Sequence, residues 1–499
     1  MIKSKKQYLR SSIATPVRRL VFSVLTFIAV SFIALWMVWR ADPNSDRPAT
    51  NADLAKLVFI PVAFAVLTFG FTTVLAVGTA RAAVPDVKAA AAQIKKPFMA
   101  QVVGLQWLNP LQRKDYPTEW QLLWTLGLVS PNPDDDMVKI KPGKYGKLQA
   151  IGAIAAGNDG RETFAGFHEK YLNKLIYLYH DVYFSDSDYF YNAHSLENKA
   201  TWRELAGIHV EYALPSGKLK SDQAAKVTQD MITDAFDIGN KNFPNAWTRD
   251  TPPDVRVTMG GANAGFTSLS AALDYLQAHP KETVWVMNWD APSFPPKDEQ
   301  INENMVLLIL VGPDYPTGRA PLAWLGYPAT TKASDYQAAK ELPPRAIQAW
   351  KAALEKAAQN TNKQPADIAY VIHDASNNPS STSDRVATLA RTLTEEVPEF
   401  DFMKQAFDTP RLLGQMGAGT ALTDVALGIA YANHMGKTVL VAGTTDEAQP
   451  TATMVVPPAV VNPIRHDEPW FRARGGNTAY LPWWGLRKGA AKRSQGYSR

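Results

Sequence analysis

The chain has 499 residues, a formal net charge of +5 and a sequence pI near 9.0. It contains no cysteine, which excludes disulfides, thiolate nucleophiles and cysteine-ligated zinc or iron–sulfur centres together. With 46% hydrophobic and 20% charged residues, the composition is that of a folded protein, long enough for a membrane anchor plus one large domain or two fused halves.

Two uncharged apolar runs, residues 20–39 and 57–80, are each about the 20 residues needed to cross a bilayer. Joined by a short polar loop, they predict a transmembrane hairpin within residues 1–83. The first twenty residues carry six cations (Lys3, Lys5, Lys6, Arg10, Arg18, Arg19) and no acid, whereas the loop 40–56 is balanced. The positive-inside rule therefore places both termini and the large domain on the cytoplasmic side of a membrane. The tail 487–499 adds five more cations, so the residues between the two basic ends carry about −6. The basicity belongs to the ends, where it either meets anionic lipid or solubilises a tail, and nucleic-acid binding loses its support.

After an alanine-rich linker at 84–97, strands are predicted at 99–108 and 147–156, and helices at 119–126 and 161–182. An acidic, aromatic loop follows at 185–191, then a strand at 209–214 and a helix over 220–240. Strands at 255–258 and 283–288 flank a helix whose apolar face is Phe266, Leu269, Leu273 and Leu276. Residues 304–311 and 322–327 read as a hairpin around a Pro/Gly turn. Helices at 343–359, 384–396 and 412–435 then alternate with strands at 368–373, 438–442 and 451–456. Strand–helix–strand–hairpin occurs twice, before and after residue 335, which predicts an α/β protein of two similar halves, 98–335 and 336–486.

The stretch 259–276, MGGANAGFTSLSAALDYL, turns from strand to helix through glycines 260, 261 and 265. It resembles the nucleophile elbow of the thiolase and β-ketoacyl synthase superfamily, and the resemblance implies a thiolase-like duplicated α/β/α fold. It places Ala262 where those enzymes carry a cysteine. Residues 370–385 resemble the segment bearing the first catalytic histidine, which falls on His373. Residues 413–421 resemble the segment bearing the second, where Gln415 stands. Alanine offers no nucleophile and glutamine cannot change protonation state. The expectation is a degenerate pocket around Ala262, Asn263, His373 and Gln415, with no catalytic residue, no cofactor and no metal. Without a partner, His373 reads rather as a histidine hydrogen-bonded at a strand end. The eight histidines show no metal-binding spacing, and no serine-hydrolase elbow or Walker loop is present. Trp470, Trp483 and Trp484, in a Pro/Gly/Arg-rich region, suit either an interface or core packing.

Residues 104–128, GLQWLNPLQRKDYPTEWQLLWTLGL, together with the apolar N-terminus and the 260–265 segment, resemble the proteobacterial type VI lipase adaptor family. That resemblance implies a non-catalytic, cytoplasmic-side adaptor that binds a phospholipase effector and helps load it onto a VgrG-type spike. Membrane lipid would be met through the hairpin, and the thiolase likeness implies a homodimer. Two alternatives stay open: a membrane-anchored thiolase-like enzyme or small-ligand-binding protein with a remodelled pocket, and a membrane-anchored structural subunit.

Overall fold

The computed structural model describes residues 97–465 apart from 112–116, 150–161, 186–207, 241–250, 296–299, 318–319 and 378–381, together with Trp484 and a few positions (27–28, 30–33 and 62) in the N-terminal region. Among the described residues no helix is long and apolar enough to cross a membrane. The predicted spans at 20–39 and 57–80 lie almost wholly outside the described residues. So do most of the linker 84–97, most of the strand expected at 147–156, nearly all of the acidic loop 185–191, and the tail 487–499.

Eleven strands form one sheet. The chain begins it with β1 (Ala100–Leu108) and runs through helix α1 (Thr118–Thr125) and helix α2 (Phe164–Ser185). Next come β2 (His209–Pro215), α3 (Ser221–Ala235), β3 (Asp254–Gly260), α4 (Ala264–Ala278), β4 (Thr283–Asp290) and β5 (Asn304–Val311). The second set comprises β6 (Ala323–Leu325), β7 (Ala329–Thr330), α5 (Arg345–Gln359), β8 (Ile368–His373) and α6 (Thr382–Glu396). It ends with β9 (Ala406–Asp408), α7 (Thr420–Met435), β10 (Thr438–Gly443) and β11 (Thr451–Val456).

The strand order is β3-β2-β4-β5-β1-β6-β11-β10-β8-β9, with β7 beside β11. Its two ends mirror each other. β3, β2 and β4 run parallel, then β5 and β1 alternate direction. Likewise β9, β8 and β10 run parallel, then β11 and β6 alternate. The duplication expected from the sequence is therefore present in the pairing itself. The hairpin expected from 304–311 and 322–327 is not: β5 and β6 each pair with opposite edges of β1. A Pro/Gly turn marks a chain reversal, but it does not choose which strand fills the place beside β5.

Side-chain alternation assigns the layers. On β4, Val284 and Val286 face one core while Trp285, Met287 and Trp289 face another beneath α2 and α3. On β10, Val439 and Val441 join the first core, and Leu440 and Ala442 join a third beneath α5 and α6. The first core, which also holds α1, α4 and α7, thus lies between the two halves of the sheet, giving five layers of helices and strands.

α7 is buried at every position from Thr420 to His434, which its small residues permit. The sequence predicted one helix from 412; the structure has a short helix at Thr409–Leu413, a turn, and then α7. The break has a steric cause. A Cβ on Gly417 would overlap the Asp290 carboxylate, and one on Gly419 would overlap the Asn304 amide. Both groups bind this turn: Ala418 N–H donates to Asp290 Oδ2 at 2.9 Å, and Asn288 and Asn304 donate to the Gly419 carbonyl at 2.7 and 3.2 Å. Asn304 also donates to Thr423 Oγ1 at 2.5 Å. At the helix crossing, a Cβ on Gly265 of α4 would stand 3.0 Å from Ala421 Cβ of α7.

A Gly419→Ala substitution is expected to destabilise the fold by about 1–3 kcal/mol through overpacking, measured by urea unfolding. Gly143, whose Cβ position is open, serves as the control, with Gly143→Ala staying within about 0.5 kcal/mol of the parent. Equal effects at the two sites would refute the latch.

Candidate functional site

The elbow is built as the sequence suggested. β3 ends at Gly260, Ala262 is buried, and Asn263 occupies the N-cap of α4 without donating or accepting a capping bond. Its Oδ1 is buried with no hydrogen-bond partner. The end of β10 closes in from the other half: a Cβ on Gly443 would come within 2.7 Å of Asn263 Oδ1 and 2.6 Å of the Phe266 ring. Beside this turn lies a groove of about 340 Å³ lined by Asn263, Phe266, Thr267 and Ser270 of α4 facing Thr330 and Thr451. Neither His373 nor Gln415 lines it.

His373 faces away from the elbow. On β8, Ile372 points into the central core and Val371 into the third, so His373 shares the outer face, where its ring stacks on Phe402 at 5.4 Å. Its Nδ1 accepts from Ala375 N–H at 3.3 Å and lies 4.0 Å from Asp408 Oδ1. Burial lowers its pKa, against the opposing pull of Asp408 and Asp374. Gln415 is exposed in the turn before α7, where its backbone carbonyl accepts from Asn302 at 3.0 Å. Ala262 and Asn263 thus stay together at the elbow, while alternation along β8 turns His373 to the outer face and Gln415 lies exposed before α7.

A polar cluster that sequence reasoning missed sits at the C-terminal ends of β8, β9 and β10. Asp374 Oδ1 accepts from the Thr444 N–H at 2.6 Å and hydroxyl at 2.7 Å, and Oδ2 accepts from the Thr445 hydroxyl. Asp408 accepts from the Ser376 hydroxyl. Asp424, from the first turns of α7, is 1% exposed, and its Oδ1 has no hydrogen-bond partner among the described residues. Burial, and then the nearby Asp374, push its pKa well above the usual aspartate range. The signal was in the sequence: Asp424 is the one acid in a helix otherwise made of small, apolar and neutral polar residues and His434.

The Ser376 hydroxyl bonds a carboxylate, and Nδ1 of His373 is taken up by the Ala375 N–H. No group of three or more histidines or carboxylates among the described residues is arranged to hold a metal ion.

The late tryptophan region resolves in part. Trp484 is core: its backbone pairs with Leu105 at 3.0 and 3.3 Å, and its ring stacks on His434 at 5.7 Å. His434 Nε2 lies 2.8 Å from the buried Glu119 of α1. Trp470 and Trp483 fall outside the described residues.

A mixed α/β architecture with two like halves around paired central helices is the class that these features define. Solved structures similar to the chain include ketosynthases. They include an oxazolomycin ketosynthase domain of Streptomyces albus (12% identity, 76% of this chain and 100% of that one, TM-score 0.44) and the ishigamide ketosynthase/chain length factor (14%, 73% and 100%, 0.43). Another is the module 6 ketosynthase of the Bacillus subtilis bacillaene synthase (10%, 72% and 70%, 0.46). At this distance the likeness says nothing of activity. None of the curated proteins matches the sequence. Residues 322–457 match the family model described as "Type VI lipase adapter protein Tla3, C-terminal". The match begins one residue before β6 and ends one residue after β11.

A second buried carboxyl gives a pH test of the structure. Burial raises Glu303 from 4.5 to about 7, with the Tyr171 hydroxyl beside it acting in the opposite sense. Because its pKa is higher in the fold, Glu303 contributes stability below about pH 4.5 that is lost as the pH rises to about 7. Glu303→Gln is therefore expected to gain stability over the parent between about pH 5 and pH 8, by up to about 3 kcal/mol at the upper end. Urea unfolding at several pH values measures it, and a difference that does not change with pH would refute the assignment.

Proposed function

We propose that the protein is a non-catalytic adaptor that binds a phospholipase effector and helps load it onto the VgrG-type spike of a type VI secretion system. The observation that carries this reading is the family match across residues 322–457, which spans the whole second set of strands from β6 to β11. Two features support it. The residues that correspond to a ketosynthase nucleophile and its histidines are Ala262, His373 and Gln415, and His373 faces away from the elbow. The Ser376 hydroxyl is bonded to Asp408, and Nδ1 of His373 accepts from the Ala375 N–H.

The two apolar runs and the basic N-terminus support a tether at the inner membrane, with the large domain in the cytoplasm and lipid contact through residues 20–39 and 57–80. A homodimer is part of the same reading. A second reading, a small-ligand-binding protein, is favoured by one feature, the groove beside Asn263.

Affinity purification of the tagged full chain from cells with an active secretion system is expected to recover a lipase and a spike protein together. Recovery of neither from such cells sinks the adaptor reading. The tether has its own test: the full chain should stay with membranes after alkaline carbonate washing, and deletion of residues 1–83 should release it. Release of the full chain by the wash would remove the spans from the proposal.

A further inference from the structure

The proposed function makes no use of the three carboxyl groups that meet where α7 begins, those of Asp374, Asp408 and Asp424. Asp374 and Asp424 are both buried, at 1% exposed. Asp374 accepts from one N–H and two hydroxyls, which suits the ionised form. Asp408 accepts from the Ser376 hydroxyl, and its Oδ1 is buried without a hydrogen-bond partner among the described residues. Asp424 Oδ1 is buried and unpaired in the same way. Burial opposes ionisation of Asp424, and the charges of Asp374 and Asp408 add to that, against the Thr409 hydroxyl beside it. A buried carboxyl next to two others keeps its proton unless a cation is supplied.

The described elements packed around the start of α7 do not supply one. His373 of β8 lies 4.0 Å from Asp408 Oδ1, but burial lowers its pKa against the pull of Asp408 and Asp374, so its ring is neutral at pH 7. Arg385 of α6 is paired with Glu447 at 3.1 Å, and Arg411 of the short helix Thr409–Leu413 is exposed. β5 brings the neutral Asn304, bonded to Thr423, and α4 brings Gly265 against Ala421. On the β4 side stands another carboxyl, Asp290, which accepts from the Ala418 N–H. Two turns along α7, Tyr431 stacks on Tyr370 of β8 at 4.0 Å, and near its end His434 meets Glu119 at 2.8 Å.

We propose that Asp424 holds a proton beside Asp374 and Asp408, and that this proton fastens the first turns of α7 to the ends of β8 and β9. Its loss puts three negative charges at one buried place, and repulsion loosens the start of the helix. The cluster is thus a pH-sensitive lock inside the second half, closed at neutral pH and opened by alkali. It stands whether or not the protein is an adaptor, because no partner enters the argument.

The test uses the detergent-solubilised full chain and Asp424→Asn, which mimics the protonated acid. A group whose pKa is raised in the fold contributes stability at low pH that is lost as the pH rises towards that pKa. Urea unfolding is therefore expected to show the unfolding constant of the parent, divided by that of the variant, rising at least about tenfold between pH 5 and pH 7. Hydrogen exchange reads the lock directly and needs no variant. After correction for intrinsic rates, the parent's amides at 420–427 are expected to lose at least about tenfold in protection between pH 7 and pH 9. Those of a folded Asp424→Asn are expected to change little. A ratio of unfolding constants that does not move with pH overturns the proposal. So does protection at 420–427 in the parent that is the same at pH 7 and pH 9, and that result decides the matter if the variant fails to fold.

Discussion

The fold depends on how closely α4 and α7 can approach each other and the sheet. These two helices form the shared middle layer, and both half-sheets bury their inner faces against them. Interior packing leaves little slack, so a contact such as Gly265 against Ala421 sets where both helices lie. The Gly419 carbonyl shows the electrostatic side of the same constraint. It lies in a buried turn and accepts from two asparagine amides on β4 and β5. Each such bond contributes about 1 kcal/mol net, but leaving the buried group unpaired costs about 1–3 kcal/mol. Asn288 and Asn304 thus define one position for the start of α7.

That arrangement sets where Gln415 and Asn263 stand. The turn before α7 is given over to holding the halves together, and Gln415 is left at the surface. The end of β10 is packed against Asn263 at the other central helix. At the ends of β8 and β9, Asp374 and one oxygen of Asp408 accept from threonine and serine hydroxyls.

Much of the architecture was legible in the sequence because it rests on local periodicity. The apolar face of α4, the uninterrupted apolar run of β5 and the alternation in β3 all follow from spacing alone. The duplication showed as a repeated order of elements. What could not be read was pairing and facing. Nothing in residues 322–327 says that β6 lies beside β1. Nothing in the segment around His373 says which side of β8 meets the central helices. Asp424 was the exception, an acid in a buried small-residue helix, and its sequence context was signal enough.

The sequence by itself determined the absence of cysteine chemistry, the apolar and basic N-terminal pattern, the α/β class and the alanine at the elbow, because each follows from residue identity or short-range order. Only the tertiary structure decided that His373 and Gln415 do not line the groove beside Asn263, that Trp484 belongs to the core, and that His168 and α3 line a cleft. Those facts depend on which strand edges pair and which faces turn inward. Burial and hydrogen bonding settle both between residues far apart in the chain.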